Sequence, residues 1–335
     1  MVENARVENA TADNAAVDSP SSGQHAVASQ HPRKREAKAE NGARRDLKYP
    51  ELPEPLEVPC YDNHTHLEIE DGETGLEIGE HMDLAEQVNI LGAITVGGDV
   101  ASSRWQVWAA NADARLLAAV AIHPNEAPRI AEAGALSEHL EQIAELSKDA
   151  RVAAIGETGL DFFRTSGEAA IAKQYESFEA HIALAKERGL PMQIHDRDAH
   201  AEVVATLRRV GAPEGTVFHC FSGDAELAKI AADEGWFCSF AGNVTFKNAE
   251  NLREALRVLP KELVLVETDA PFLTPVPLRG RPNAPYIIPN TIRFMADYLG
   301  VDVNEFASQI AENTLGLYGP FDPTERASWL AARRG

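Results

Sequence analysis

The sequence predicts an α/β protein, a (β/α)8 barrel preceded by a disordered N-terminal tail. Three observations lead there. Short β-type runs alternate with amphipathic helical stretches from residue 58 onward; eight such runs occur; and histidines and carboxylates recur where the runs end. Regular alternation implies a parallel sheet, and eight repeats favour closure over an open sheet. Barrels of this type gather their functional residues at the C-terminal ends of the strands, so the polar residues fall where the fold would need them.

Residues 1–46 are rich in Ala, Asn, Ser, Glu and Lys and almost devoid of large hydrophobes. Such a segment cannot bury enough apolar surface to offset its ordering entropy, so disorder is expected. Within it, His31-Pro32-Arg33-Lys34-Arg35 forms a basic patch that could touch nucleic acid but reads first as a solvated linker. Pro50, Pro53 and Pro55 make residues 47–57 an extended lead-in. The barrel domain then runs from 58 to 335. Its expected strands cover residues 58–66, 93–98, 116–123, 152–159, 191–195, 216–221, 236–242 and 263–269. Between them, residues 136–148, 170–188, 199–210 and 225–234 carry helical periodicity. Gly189 and Gly211 stand where C-terminal caps belong, each shortly after basic residues that suit a helix end.

Composition bounds the function. With 44% hydrophobic residues, a chain of 335 can bury a sizeable core. A formal net charge of -21 argues against a protein that coats DNA by general electrostatics. It leaves a nuclease open, because bound divalent cations reverse the local field at a site. Cys60, Cys220 and Cys238 include no CxxC spacing, so neither a disulfide framework nor a zinc ribbon is expected, and a reducing compartment is. Cys220, next to His219, is expected to face the other side of its strand as a small buried hydrophobe. No apolar leader follows Met1 and no run is long enough to span a bilayer, so a cytoplasmic protein without a membrane partner is expected.

His64 and His66 end the first run. On a strand, side chains two apart share a face, so both imidazoles can reach one metal ion. Glu157, between Gly156 and Gly159, ends the fourth run with room beside it for ions, and a carboxylate can bridge two cations. Asp161 shares its parity and competes with it. His195 ends the fifth run, His219 is late in the sixth and Asp269 closes the eighth. Charged residues are rarely buried unless paired or metal-bound, and this set has the composition of a two-metal hydrolytic centre. Asp269 could also accept a proton from a metal-activated water. His81, His139, His181 and His200 fall within or beside helical patterns and read as surface or packing residues; His25 and His31 belong to the tail.

These residues sit in segments that resemble the TatD family of metal-dependent hydrolases. The segments are Asp62-Asn63-His64-Thr65-His66-Leu67, Gly156-Glu157-Thr158-Gly159-Leu160-Asp161, Phe218-His219-Cys220-Phe221-Ser222-Gly223 and Glu267-Thr268-Asp269-Ala270-Pro271-Phe272-Leu273-Thr274-Pro275. The resemblance runs from about Tyr61 to Tyr318. It implies a TIM barrel holding two divalent cations (Zn, Mn or Mg), with His64, His66 and Asp269 on one ion, His195 and His219 on the other, and Glu157 bridging. The imidazole-rich ligand set favours a transition metal. It further implies deoxyribonuclease activity, commonly removal of nucleotides from a 3′ end. The acidic composition, without a long basic groove, points to DNA ends or single strands as substrate rather than long duplexes. His123, Arg164, Ser222, Gly223, Arg279 and Asn283 match substrate-side positions, Arg164 being suited to a phosphate. Asn125, Ala284 and Glu68 depart from the family pattern, the first two nearer the substrate. The same centre could instead serve another ester or amide, such as a D-aminoacyl-tRNA; a non-catalytic interaction protein on the same barrel is the remaining reading.

Overall fold

The computed structural model describes residues 33–38 and 42–334. Its elements open with β1 (Arg33–Lys34), β2 (Cys60–Thr65), β3 (Ile69–Glu70), α1 (Ile78–Glu86), β4 (Ile90–Val96) and α2 (Val100–Ala112). Next come β5 (Leu116–Val120), α3 (Glu126–Glu132), α4 (Leu136–Leu146), β6 (Val152–Asp161), α5 (Glu168–Arg188), β7 (Met192–Arg197) and α6 (His200–Val210). The chain continues through β8 (Thr216–Phe218), α7 (Ala225–Glu234), β9 (Phe237–Phe240), α8 (Glu250–Val258) and β10 (Val264–Val266). Helices α9 (Ile288–Leu299), α10 (Val303–Tyr318) and α11 (Pro323–Arg334) complete it.

Eight parallel strands lie side by side in the order β10-β9-β8-β7-β6-β5-β4-β2, which is chain order. The barrel closes where Thr65 bridges Ala270 in parallel, with His66 N donating to Ala270 O at 2.7 Å and Asp269 N to His64 O at 2.9 Å. Strand alternation builds two cores. Ile94, Val96, Leu117, Ala119, Ala153, Val217 and Leu265 fill the lumen, while Ala93, Leu116, Ala118, Val120, Met192 and Ile194 meet the helical ring. Tyr318 and Phe321 plug the lumen from the end of α10, and Tyr61 stacks on Phe321 at 4.9 Å. Among the described residues, no helix is long and apolar enough to cross a membrane.

The helical expectations hold closely: residues 225–234 are α7, and Gly189 caps α5 in the left-handed region at φ 62°. Several strands are shorter than expected. β8 ends at Phe218 and β10 at Val266, so His219 and Asp269 stand beyond the regular ladder. Backbone geometry explains this: Cys220 (φ 41°) and Asp269 (φ 51°) take left-handed conformations that no strand can continue. The turn also corrects the expected place of Cys220, which lines the pocket rather than facing the helices.

The N-terminal tail is corrected as well, over its last part. Residues 33–38 and 42–46 are bound to the barrel. β1 pairs in parallel with β3, and Arg45 forms a bidentate pair with Asp71 at 2.9 and 2.6 Å, both side chains buried. Residues 1–32 and 39–41 lie outside the described residues, His25 and His31 with them.

Candidate metal centre

Strand ends deliver the polar residues to one pocket. His66, His123, Glu157, His195, His219 and Asp269 line it, with His64 buried behind them. The two imidazoles of the first strand converge, Nε2 to Nε2 at 3.2 Å, as their spacing predicted. His64 stacks on His219 with ring centroids 3.9 Å apart. Glu157 sits at the middle. Its Oε2 lies 3.8 Å from His64 Nε2 and 3.7 Å from His66 Nε2. Its Oε1 lies 2.7 Å from His195 Nδ1, 2.9 Å from His219 Nε2 and 3.3 Å from His123 Nε2. Each carboxylate oxygen therefore faces a different group of imidazoles.

Asp269 Oδ1 stands 3.6 Å from His66 Nε2 and 4.0 Å from His64 Nε2. Asp161, the competitor of Glu157, lies on the far side of His195, with Oδ2 3.2 Å from its Nε2. It also accepts from Asn125 Nδ2 at 3.1 Å and from Arg164 N at 2.8 Å.

Neighbouring groups fix the rings. Gln193 donates through Nε2 to Asn63 O and Tyr318 Oη, which turns its Oε1 toward His64 Nδ1 at 3.0 Å. Nδ1 must then carry the proton, leaving the His64 Nε2 lone pair free. His66 Nδ1 donates likewise to Val96 O at 2.9 Å. Glu267 faces His219 Nδ1 at 3.3 Å and accepts from Cys220 N at 2.7 Å. Such outer partners orient metal-binding histidines and raise their basicity.

Electrostatics match. Burial opposes ionisation of Glu157, yet His219 and His123 hold its carboxyl well below the usual range. Burial equally opposes charge on His66, but the hydrogen bond to Asp269 and the carboxylates of Glu68 and Glu157 raise it to about 9. A field that favours a proton there favours a metal cation for the same reason. A proton on His66 Nε2 satisfies its 3.2 Å contact with His64 Nε2, a place a metal cation can take instead, and buried Glu267 Oε2 and Glu68 Oε1 lack hydrogen-bond partners among the described residues. Among the described residues, three groups bring potential ligand atoms within 4.8 Å of one another: His64, His66 and Glu157; His64, His219 and Glu267; and His123, Glu157 and His195. The donor set fits divalent cations.

Of the expected substrate residues, His123 and Ser222 line the pocket, and Ser222 Oγ donates to Asp196 O at 2.7 Å. The others lie off its lining. Arg164 is exposed on the loop after Asp161, and exposed Arg279 packs over the Phe246 ring at 4.3 Å. Gly223 is buried where a Cβ would come within 2.5 Å of Leu227. Asn283 is buried too, and its amide donates to Thr268 O at 3.0 Å and Phe272 O at 2.6 Å. Its visible work is to brace the loop that carries Asp269. Glu267 was missed as a site residue, although its place two residues before Asp269 was a signal. Gln193 and Arg197 also escaped, Arg197 on the pocket wall; Arg33, from the basic patch that reads first as a solvated linker, lies on that wall too.

Imidazoles and carboxylates converging at the C-terminal mouth of a parallel barrel define a class, the metal-dependent hydrolases. Comparison with known proteins narrows it. The chain belongs to the TatD family: the family model described as TatD related DNase matches residues 61–319. An uncharacterized metal-dependent hydrolase of Mycobacterium tuberculosis, named TatD, is 39% identical over 261 residues, covering 77% of this chain and 97% of the relative. YabD of Bacillus subtilis, likewise an uncharacterized metal-dependent hydrolase, is 37% identical over 77% of this chain and 98% of its own length. The fold matches the crystal structure of the TatD homologue YJJV from Escherichia coli, with a TM-score of 0.69 at 24% identity, covering 78% of this chain and 98% of that one.

Proposed function

We propose that this metal-dependent hydrolase is a deoxyribonuclease that removes nucleotides from the 3′ ends of DNA, single strands included. The observation that carries the proposal is the split environment of Glu157, whose two oxygens face separate groups of histidines. On this reading His64, His66 and Asp269 would hold one divalent cation, His195 and His219 the second, and Glu157 would bridge them. The bound cations would supply a water of lowered pKa and positive charge for a phosphoryl oxygen. The protein's own groups do the rest. Asp269, on the pocket wall beside His66, accepts the proton released as the phosphodiester is attacked. His123 lies within reach of substrate bound in the same pocket, and burial lowers its pKa, which favours the neutral imidazole. Gln193, Val96, Asp161 and Glu267 keep the rings aimed.

The family description as a related DNase supports the choice of DNA. The test is release of mononucleotides from 5′-labelled single-stranded DNA, run beside RNA and a misacylated tRNA. DNA should be shortened from its 3′ end when Mn, Zn or Mg is supplied and left intact in chelator. Glu157→Gln should lower the rate at least a thousandfold and reduce the bound metal measured by elemental analysis. Turnover of the tRNA ester with DNA untouched would replace this reading.

A further inference from the structure

The basic run at residues 33–35 does not belong to the family-matched barrel, which begins at residue 61. It nonetheless reaches the pocket. β1 lies along β3, with Arg33 N donating to Glu68 O at 3.4 Å and Arg35 N to Glu70 O at 2.8 Å. Two anchors fix this strap, Arg35 partly buried and Arg45 buried. Arg35 donates to Asp71 at 3.2 Å and to Pro271 O, and lies over the Phe272 ring at 5.0 Å. Arg45 grips Asp71 and donates to Glu36 O at 2.8 Å. Arg33 is different. Its side chain keeps 35% of its surface exposed, meets Asp99 through one nitrogen and lines the pocket with His66, His123 and Asn125. Strand alternation turns Lys34 outward to Glu70, at 60% exposure.

We propose that the strap supplies Arg33 as a substrate-positioning residue, which binds a phosphate of single-stranded DNA next to the scissile phosphodiester. The proposal rests on the deoxyribonuclease reading and adds a contact from outside the family-matched residues. Three features support it. A planar guanidinium with donors left over after one carboxylate contact suits a phosphate. The chain carries a strong negative charge, so a cation held at the mouth by the anchored strap offsets repulsion of a polyanion locally. The anchors are separate residues, so the strap's attachment does not depend on Arg33.

The test uses the full-length, metal-loaded protein and a labelled octathymidylate with phosphorothioate linkages, followed by fluorescence anisotropy across a salt series. Arg33→Ala should weaken binding roughly tenfold. It should also flatten the dependence of log affinity on log salt by about 0.7, the share of one phosphate on a single strand. Arg33→Lys should restore part of the affinity, and Lys34→Ala, which removes the same charge one residue away, should change it less than twofold. On cleavable DNA, Arg33→Ala should act mainly on KM, with metal content and melting temperature held. Equal effects of Arg33→Ala and Lys34→Ala would overturn the proposal, as would an unaltered salt slope or a wild-type protein that does not bind the oligonucleotide. A wild type that binds but releases no nucleotide would instead sink the nuclease reading, while the binding comparison still judges Arg33.

Discussion

At the scale of single residues, burial decides what each polar group can do. His181 shows this away from the pocket. It is fully buried on α5, its Nε2 accepts from Ile122 N at 3.2 Å and its Nδ1 donates to Ser177 O at 2.7 Å. Burial lowers its pKa from 6.5 to about 4. The folded protein therefore refuses a proton that the unfolded chain accepts, and the stability from neutral His181 is present above pH 6.5 and lost as pH falls toward 4. The shift corresponds to about 3 kcal/mol across that window. Asp62 works the other way: burial outweighs its hydrogen bonds to Thr268 and lifts its carboxyl to about 7, so ionising it costs stability as pH rises. Subtraction separates the two. Urea unfolding of wild type and His181→Gln at pH 7 and pH 4.5 should show the wild type losing about 2–3 kcal/mol more than the variant. Equal losses would rule His181 out as a source of acid sensitivity.

Among the elements, β6 carries the most information per residue. All ten of its residues are buried, and it places Glu157 and Asp161 on either side of His195. Gly159 is what permits this: at φ 146°, an added Cβ would lie 2.0 Å from the His195 carbonyl oxygen. Gly159→Ala should destabilise the protein by roughly 2–3 kcal/mol through backbone strain and should push His195 away from Glu157. A lower urea midpoint with unchanged slope, together with weaker metal binding by titration, is the expected result; unchanged metal affinity would show that β7 absorbs the displacement. The strand-end logic made His64, His66, Glu157, His195, His219 and Asp269 readable, because period-two alternation and barrel geometry act locally. Roles set across strands were not readable in that way. Whether Gln193 meets His64, or Glu267 meets His219, depends on register between β2, β7, β8 and β10, which no single segment encodes. For loop residues, a motif match does not place the side chain. Arg164, Arg279 and Asn283 match a pattern in sequence, but their loops carry the first two to exposed positions and bury the third.

Across the whole molecule, closure of the barrel is reinforced from outside the eight strands. At the lower end, nearly buried Arg326 of α11 donates to Tyr318 O, Ala150 O and Val152 O and so ties the plug to β6. At the mouth, the strap ties β3 to the loop after β10. Its attachment was illegible in the sequence because it uses ion pairs and backbone contacts, which leave no hydrophobic periodicity to detect. Arg45 and Asp71 are its hinge pin, with side chains 3% and 2% exposed. A buried pair of this kind adds little net stability over an apolar pair, but losing one partner strands the other charge. Arg45→Ala should therefore cost about 3 kcal/mol, with Arg35 left to share Asp71. Arg45→Ala combined with Asp71→Ala should cost less than the sum of the single changes, because the second removes the stranded carboxylate. Hydrogen exchange gives the geometric half of the test. In Arg45→Ala the amide of Arg35, bonded to Glu70 O, should exchange faster while those of β5 and β6 keep their protection. Uniform loss of protection throughout the barrel would mean that the pair stabilises the fold as a whole rather than holding the strap over the pocket.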